Sequence, residues 1–286
     1  VSKDRIGLVG FGYWGKIIFK NLKSMGYENI TICEERSIDW GEFGEKVPVV
    51  KNYKDLSCDK VFIVTPATTH YDIVEYFLKK GVDVFCEKPL VFTSKECEEL
   101  YNLAKINNCR LFVDWVFIYN PCVEKIKEII SEEGPPKSII ANRMNYGPAR
   151  YDVDSKWDLA SHDVSIILYI LNQKLNEVFW KTFKRNKNSK TDDSAVGLLF
   201  FEETNAQINV SWEYGKKNRD FILEFDDFFV SWNDINKTVT KNKKPQQVKK
   251  YSPLEKSIEN FMNVSYDMRT QEFITKKTTR ILEDER

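Results

Sequence analysis

No stretch of this chain approaches the ~20 apolar residues that a membrane-spanning helix needs. The most apolar run, residues 164–171, is eight long and contains Ser165, so no membrane partner is expected. The first five residues lead straight into a strand-like run, without the charged and apolar regions of a signal peptide, and none is expected. Net charge is absent as well: 43 Lys plus Arg stand against 43 Asp plus Glu. A dedicated nucleic-acid binder carries a basic excess, so that class is not expected either. The six cysteines (Cys33, Cys58, Cys86, Cys97, Cys109, Cys122) show no C-x-x-C spacing and do not cluster with the two histidines. No metal site is expected; the thiols read as small buried hydrophobes in a reduced, cytoplasmic compartment. There is no internal repeat.

What remains is ordinary globular composition, 42% apolar and 30% charged over 286 residues. At ~150 residues per domain the length predicts two domains, each able to bury a core without disulfides. Up to about residue 115, short β-rich runs alternate with helix-period segments. Strands are expected at 5–10 (RIGLVG), 30–34, 60–65 (KVFIVT), 82–86 and 110–113. Helices are expected at 14–25, 69–80 and from Thr93, where Glu96 completes a capping-box pattern. This alternation predicts a doubly wound parallel sheet with helices on both faces, whose ligands bind at the carboxyl ends of the strands.

The pattern then changes. A helix at 121–133 is ended by Gly134-Pro135-Pro136. Strand-like runs come next at 139–146, 178–183, 195–201, 207–212, 221–225 and 228–232, interrupted by one helix at 161–171. That reads as an α+β domain with a large, mostly antiparallel sheet. The tail, 254–262 and 271–283, is expected to be helical. The Lys-rich segment 241–250 reads as a solvated loop, with a phosphate-binding role as the alternative.

Three motifs carry chemistry. Gly10-Phe11-Gly12-Tyr13-Trp14-Gly15 is a G-x-G-x-x-G that follows a strand and opens a helix, the context of a dinucleotide-binding turn. Glu34 lies 19 residues after Gly15, near the ~20 expected of a ribose-binding acid. A carboxylate there favours NAD, while Arg36 leaves NADP open, since a guanidinium can accept a 2′-phosphate. Glu87-Lys88-Pro89 puts Lys88 at a carboxyl strand end; an ion pair is the plain alternative. Trp157-Asp158-Leu159-Ala160-Ser161-His162-Asp163 places Asp158 and His162 four apart. His162 points away from the stripe Val164, Ile167, Leu168, Leu171, and an imidazole beside a carboxylate suits proton transfer. A helix start capped by acids is the alternative. His70 reads as structural or cofactor-proximal.

Together these residues resemble the glucose–fructose oxidoreductase/inositol dehydrogenase family (Gfo/Idh/MocA). The match runs through the 10–15 glycine turn, Thr65-Pro66 with His70, Glu87-Lys88-Pro89, the crossover from Val113-Asp114-Trp115 to Tyr119-Asn120-Pro121, and the D-x-x-x-H of Asp158 and His162. The resemblance implies a Rossmann domain over 1–118 and a substrate-binding and oligomerisation domain over 119–286, in a homodimer or homotetramer. It implies Lys88, Asp158 and His162 as the catalytic set. Gly10, Phe11, Gly12, Tyr13, Trp14, Gly15, Glu34, Arg36, Thr65, Pro66, His70, Glu87 and Lys88 would line the cofactor cleft. Ala160, where many members have Gly, and Asp163, directly after His162, are departures. The W-D-L-x-x-H-D form of 157–163, with Asn142-Arg143-Met144-Asn145 upstream and Ser211-Trp212 downstream, looks like a branch found in polysaccharide and nucleotide-sugar pathways.

The implied reaction is hydride transfer between a nicotinamide and a secondary alcohol or ketone of a sugar or nucleotide sugar. An epimerase or glycoside-cleaving enzyme without net redox is one alternative. A non-catalytic dinucleotide-binding regulator is the other.

Overall fold

The computed structural model describes residues 4–41, 43, 46–147, 150 and 152–284. Two compact units divide the chain: Val1–Asp114 with Leu254–Lys276, and Trp115–Pro253 with Lys277–Arg286. The first unit is a six-stranded parallel sheet of β1 (Ile6–Val9), β2 (Ile30–Cys33), β3 (Val49–Val50), β4 (Lys60–Ile63), β5 (Asp83–Cys86) and β6 (Leu111–Val113). Its strand order is β3-β2-β1-β4-β5-β6. Helices α1 (Tyr13–Ser24), α2 (His70–Lys79) and α3 (Ser94–Ile106) connect the strands. β1, β4 and β6 are buried along their whole length. Strands covered on both faces read as continuous apolar runs, which is why the sequence shows them so clearly.

Strand register positions the functional loops. Val9 pairs with Cys33 and with Ile63, Ile63 with Cys86, and Cys86 with Val113. The strands therefore end in one row, and the residues just beyond them, Gly10, Glu34, Val64, Glu87 and Asp114, leave the same edge. The connections run to opposite sides at β1 and β4, the switch point where ligands bind in such sheets.

The second unit contains α4 (Pro121–Glu133), β7 (Ser138–Tyr146), α5 (Ser161–Ile170) and β8 (Leu175–Phe183). β9 (Ser194–Phe201), β10 (Asn205–Ser211), β11 (Glu213–Asn218), β12 (Asp220–Glu224), β13 (Phe229–Asn233), β14 (Thr238–Lys241) and β15 (Lys244–Pro245) complete it. The sheet order is β15-β14-β13-β12-β7-β10-β9-β8, with β11 also paired to β7. Every pairing is antiparallel except β7 with β10. One face packs on α4 and α5 through Ile139, Ala141, Ile208 and Leu223. The chain ends in α6 (Pro253–Met262) and α7 (Arg269–Glu283).

The structure corrects the sequence reading in four places. The second domain does not run unbroken from 119 to 286: residues 254–276 belong to the first unit. Phe261 of α6 is fully buried, with its ring 5.2–5.9 Å from those of Phe62, Phe85 and Phe112. An amphipathic helix announces that it docks, not where. Secondly, burial of α5 is not confined to the stripe Val164, Ile167, Leu168, Leu171: Ser161, Asp163 and Ser165 are buried as well. Ser165 satisfies its hydroxyl internally, on the His162 carbonyl at 2.7 Å.

Thirdly, the 241–250 segment is not all loop. β14 and β15 form a hairpin whose turn residues Asn242 and Lys243 have φ of 47° and 65°. Such turns usually announce themselves by glycine, and none is present here. Fourthly, β3 and β11 were not expected. β3 is only two residues long, and β11 is polar and interrupted by a register shift.

Candidate active site

The glycine turn is built by close backbone packing. Gly10 has φ +93°, and a Cβ there would lie 3.0 Å from the Val64 carbonyl oxygen. A Cβ on Gly15 would sit 2.2 Å from the Gly10 carbonyl oxygen. Any other residue at either position forces the turn open. Gly12 is different: a Cβ there would meet nothing within 4 Å. It is the N-cap of α1, whose first turn carries neither a side-chain cap nor an acid. The helix amides and their dipole thus face the open side of the turn, a ready site for a phosphate.

The other residues of the turn differ in role. The Phe11 ring is buried against Phe19, Trp40 and Phe43, and its amide donates to Glu34 Oε2 at 2.9 Å. Tyr13 and Trp14 are exposed, with their rings packed edge to face. Glu34 Oε1 accepts from the Arg36 amide at 3.1 Å and Nε at 3.0 Å. Partial burial pushes the Glu34 carboxyl up, but the hydrogen bonds from Arg36 and Phe11 outweigh it and hold the group at about 2. Glu34 is a carboxylate at neutral pH, with Arg36 lying along it.

Thr65, Pro66 and His70 form a staple beside the sheet edge. Thr69 Oγ1 lies 2.8 Å from both Thr65 Oγ1 and the Pro66 carbonyl oxygen. His70 is 1% exposed. Its Nδ1 is 2.8 Å from the Pro89 carbonyl oxygen and its Nε2 is 3.0 Å from that of Thr65. It ties the loop after β4 to the loop carrying Lys88. The Lys88–Pro89 peptide is cis. The Glu87 amide extends the β5 ladder to the Ile63 carbonyl, and Glu87 Oε2 accepts from the Lys88 amide at 3.3 Å. Cys86 is fully buried, and burial followed by the charge of Glu87 pushes its thiol well up, so it packs as a hydrophobe.

Asp114 stands next in the row, two percent exposed, with its amide on the Cys86 carbonyl at 2.9 Å. Burial raises its carboxyl to about 6, although the Ser257 hydroxyl at 2.6 Å and the charge of Lys88 both pull it down.

In the second unit, Asp158 lies in a π-helical segment, Lys156–Ala160, that runs directly into α5 and His162. Such wide turns occur disproportionately at functional sites. Asp158 Oδ1 accepts from Arg150 Nη1 at 3.1 Å, and Oδ2 from the Trp212 indole at 3.2 Å. His162 is half-buried among buried neighbours, and its ring meets Phe117 edge to face at 4.8 Å. Arg143 lies over the same Phe117 ring, its Cζ 4.3 Å from the centroid. Asp163 accepts from Arg143 Nε at 3.0–3.1 Å and from Nη2 at 2.8 Å. This fork locks α5 to β7, and it explains why an acid can follow His162 in a buried helix.

Two family models match the chain. "Oxidoreductase family, NAD-binding Rossmann fold" covers residues 5–115, and the GFO/IDH/MocA C-terminal domain covers residues 130–226. The chain belongs to the GFO/IDH/MocA oxidoreductase family. Among its members, a myo-inositol 2-dehydrogenase of Thermotoga maritima is 27% identical over 190 residues, 61% of this chain and 57% of that protein. The chain spans less than two thirds of the length of the curated relatives it matches.

A UDP-N-acetylglucosamine 3-dehydrogenase of Acidithiobacillus ferrooxidans superposes with a TM-score of 0.85 at 19% identity, over 98% of this chain and 95% of that one. The WlbA dehydrogenase of Bordetella pertussis, solved with NADH and UDP-GlcNAcA, superposes with a TM-score of 0.83 at 18% identity, over 98% and 94%. At these identities the likeness is one of fold.

The residues present fit the family's NAD. Gly12 leaves room for a pyrophosphate, the N-terminus of α1 faces it, and Glu34 presents an ionised carboxylate at the end of β2. Motif reading alone missed Arg150, Trp212, Arg143 and Phe117 as neighbours of the GFO/IDH/MocA D-x-x-x-H pair. The Arg143 and Trp212 segments stood out only as marks of a subfamily. Asp114 lay inside the expected crossover, and its partner Ser257 comes from a helix 143 residues further on.

Proposed function

We propose that this chain is an NAD-dependent oxidoreductase that transfers a hydride between the nicotinamide and a secondary alcohol or ketone of a sugar or nucleotide sugar. The observation that carries this reading is the register of the first sheet. It lines up the ends of five strands, so that Gly10, Glu34, the Thr65 loop and the Lys88 loop leave one edge. The bound nicotinamide supplies the hydride acceptor or donor. His162 takes the hydroxyl proton on oxidation and returns it on reduction. The Lys88 ammonium stabilises the alkoxide as it develops, or polarises the carbonyl in the reverse direction. Asp158, held by Arg150 and Trp212, orients the substrate or His162. Glu34 accepts from the ribose hydroxyls and repels a 2′-phosphate, which favours NAD over NADP.

The UDP-N-acetylglucosamine 3-dehydrogenase and WlbA likenesses support a nucleotide sugar as the substrate class. Phe179 and Leu198, paired across β8 and β9 and exposed, support assembly as a homodimer or homotetramer through this sheet face. Six free cysteines support a reducing, cytoplasmic setting.

Calorimetric titration with NADH and with NADPH, followed by turnover of the Lys88→Ala variant on UDP-sugars, tests the reading. NADH is expected to bind more tightly than NADPH. Lys88→Ala is expected to lower turnover ~10²-fold or more while leaving NADH affinity nearly unchanged. Folded protein that binds neither nucleotide overturns the proposal. Unchanged turnover removes Lys88 from the mechanism.

A further inference from the structure

Three arginines of the second unit lie within electrostatic reach of Asp158, and two of them are neutralised. Arg143 gives its fork to Asp163, and Arg150 divides its guanidinium between Asp152 and Asp158. Arg219 differs. It is half-buried, and its Nη2 donates to Oδ1 of Asn145, a neutral acceptor. Among the described residues no carboxylate forms an ion pair with it.

Register makes the arrangement sharper. Asn218 pairs with Met144 and Phe221 with Ala141, so Arg219 stands directly opposite Arg143. Like charges facing across two strands destabilise the pair. Burial, and then the charge of Arg143, pull the Arg219 guanidinium down to about 10, against Asp163, Asp234 and Asp158, which favour its charged form from a distance. It is still charged at neutral pH. A partly buried cation whose direct partner is neutral costs stability, and such costs persist where function uses the charge.

The position points the same way. Arg143 and Asn145 are two apart on β7 and share one face. That face carries α5, because Arg143 reaches Asp163 and covers the Phe117 ring that packs on His162.

We propose that Arg219, oriented by Asn145, is the anion-recognition point of the substrate site, taking the oxyanion of an acidic sugar substrate: a sugar carboxylate or the phosphate of a sugar nucleotide. This rests on the oxidoreductase reading for the identity of the site, not for the anion chemistry. Arg219 is a specificity-determining residue and takes no part in proton or hydride transfer.

The test titrates NADH-saturated wild type, Arg219→Gln and Arg219→Lys with UDP, D-glucuronate and D-glucose. At least one anion is expected to bind wild type more tightly than glucose does. Arg219→Gln is expected to weaken that anion about 10- to 100-fold, the effect of losing a charged hydrogen bond. Arg219→Lys falls between, keeping the charge and losing the fork. Response to UDP assigns a phosphate, and response to glucuronate a carboxylate.

Anion binding that is absent in wild type, no tighter than glucose, or equal in wild type and Arg219→Gln overturns the proposal. Should Arg219→Gln fail to fold, Arg219→Lys decides: weaker anion binding supports the assignment, and wild-type affinity overturns it. A protein that binds no NADH defeats the oxidoreductase reading alone, and the same anion titrations of the nucleotide-free protein still decide Arg219.

Discussion

The two units arrange their chemistry by different means. In the first, most of the atoms that matter are backbone atoms or lie within two residues of a strand end. Gly10 and Gly15 pack carbonyl against Cα, His70 grips two carbonyls, and Lys88 follows a strand whose register is set by its neighbours. In the second, side chains hold side chains. Asp163 is held by Arg143 from 20 residues away, and Asp158 by Trp212 from 54 away. A site made from backbone tolerates few residue types at a few adjacent positions. A site made from buried charge depends on pairings between distant segments, and each partner is costly once the other is gone.

The largest effect that tests this contrast is expected at the Arg143–Asp163 pair, 5% and 2% exposed. Arg143→Met leaves Asp163 buried without its counter-ion and is expected to cost the second unit about 3–5 kcal/mol. Arg143→Met with Asp163→Leu removes both charges and is expected to recover most of that loss. Urea denaturation followed by tryptophan fluorescence reads both variants. NADH affinity, set by first-unit residues, is expected to stay unchanged in the double variant. A single variant as stable as wild type would break the contrast, because the second unit would then owe little to its buried charges.

The same contrast decides what could be read from sequence. The 10–15 turn, the strand ends and the Thr93 cap all come from local rules, and the structure places each within a residue or two of the expected position. The Thr93 hydroxyl accepts from the Glu96 amide at 3.2 Å, as the capping pattern required. The D-x-x-x-H spacing was equally local. Its supports were not: nothing about Arg143 in a β-strand names Asp163 as its partner. In the first unit, likewise, nothing about Ser257 in a tail helix names Asp114. The wide turn at Lys156–Ala160 leaves no mark either, because its residues suit an ordinary helix as well. The return of 254–276 to the first unit was hidden for the same reason as the ion pairs: docking is a long-range choice.

A smaller effect separates two glycines of the one turn. Gly15→Ala brings a Cβ to 2.2 Å from a backbone oxygen, so the turn must shift. The expected cost is about 1–3 kcal/mol of first-unit stability. Gly12→Ala meets nothing within 4 Å, at an ordinary φ of −74°, so stability is expected to stay within ~0.5 kcal/mol. Its methyl group instead occupies space the dinucleotide needs, and NADH affinity is expected to fall about 10-fold. Thermal melts with matched NADH titrations measure both. If Gly12→Ala binds NADH like wild type, the open space at Gly12 is not where the pyrophosphate approaches.

Two acids of the same sheet edge are expected to respond to pH in opposite directions. The Glu34 carboxyl is held at about 2 in the folded chain, against an ordinary 4.5. The folded state therefore binds this proton less readily than the unfolded state does. The stability Glu34 contributes is present above about pH 4.5 and lost as pH falls towards 2. Asp114 is raised to about 6 by burial, against an ordinary 3.8. Its ionisation is a cost to the folded state that grows as pH rises from about 4 through 6. Melts of nucleotide-free wild type, Glu34→Gln and Asp114→Asn across pH 3–8 separate the two. Glu34→Gln is expected to fall below wild type at neutral pH and converge with it in acid. Asp114→Asn is expected to gain on wild type as pH rises through 6. Parallel curves for all three proteins would mean that Arg36 and Phe11 do not hold the Glu34 charge as their hydrogen bonds require, and that the Ser257 hydroxyl and Lys88 already balance the burial of Asp114.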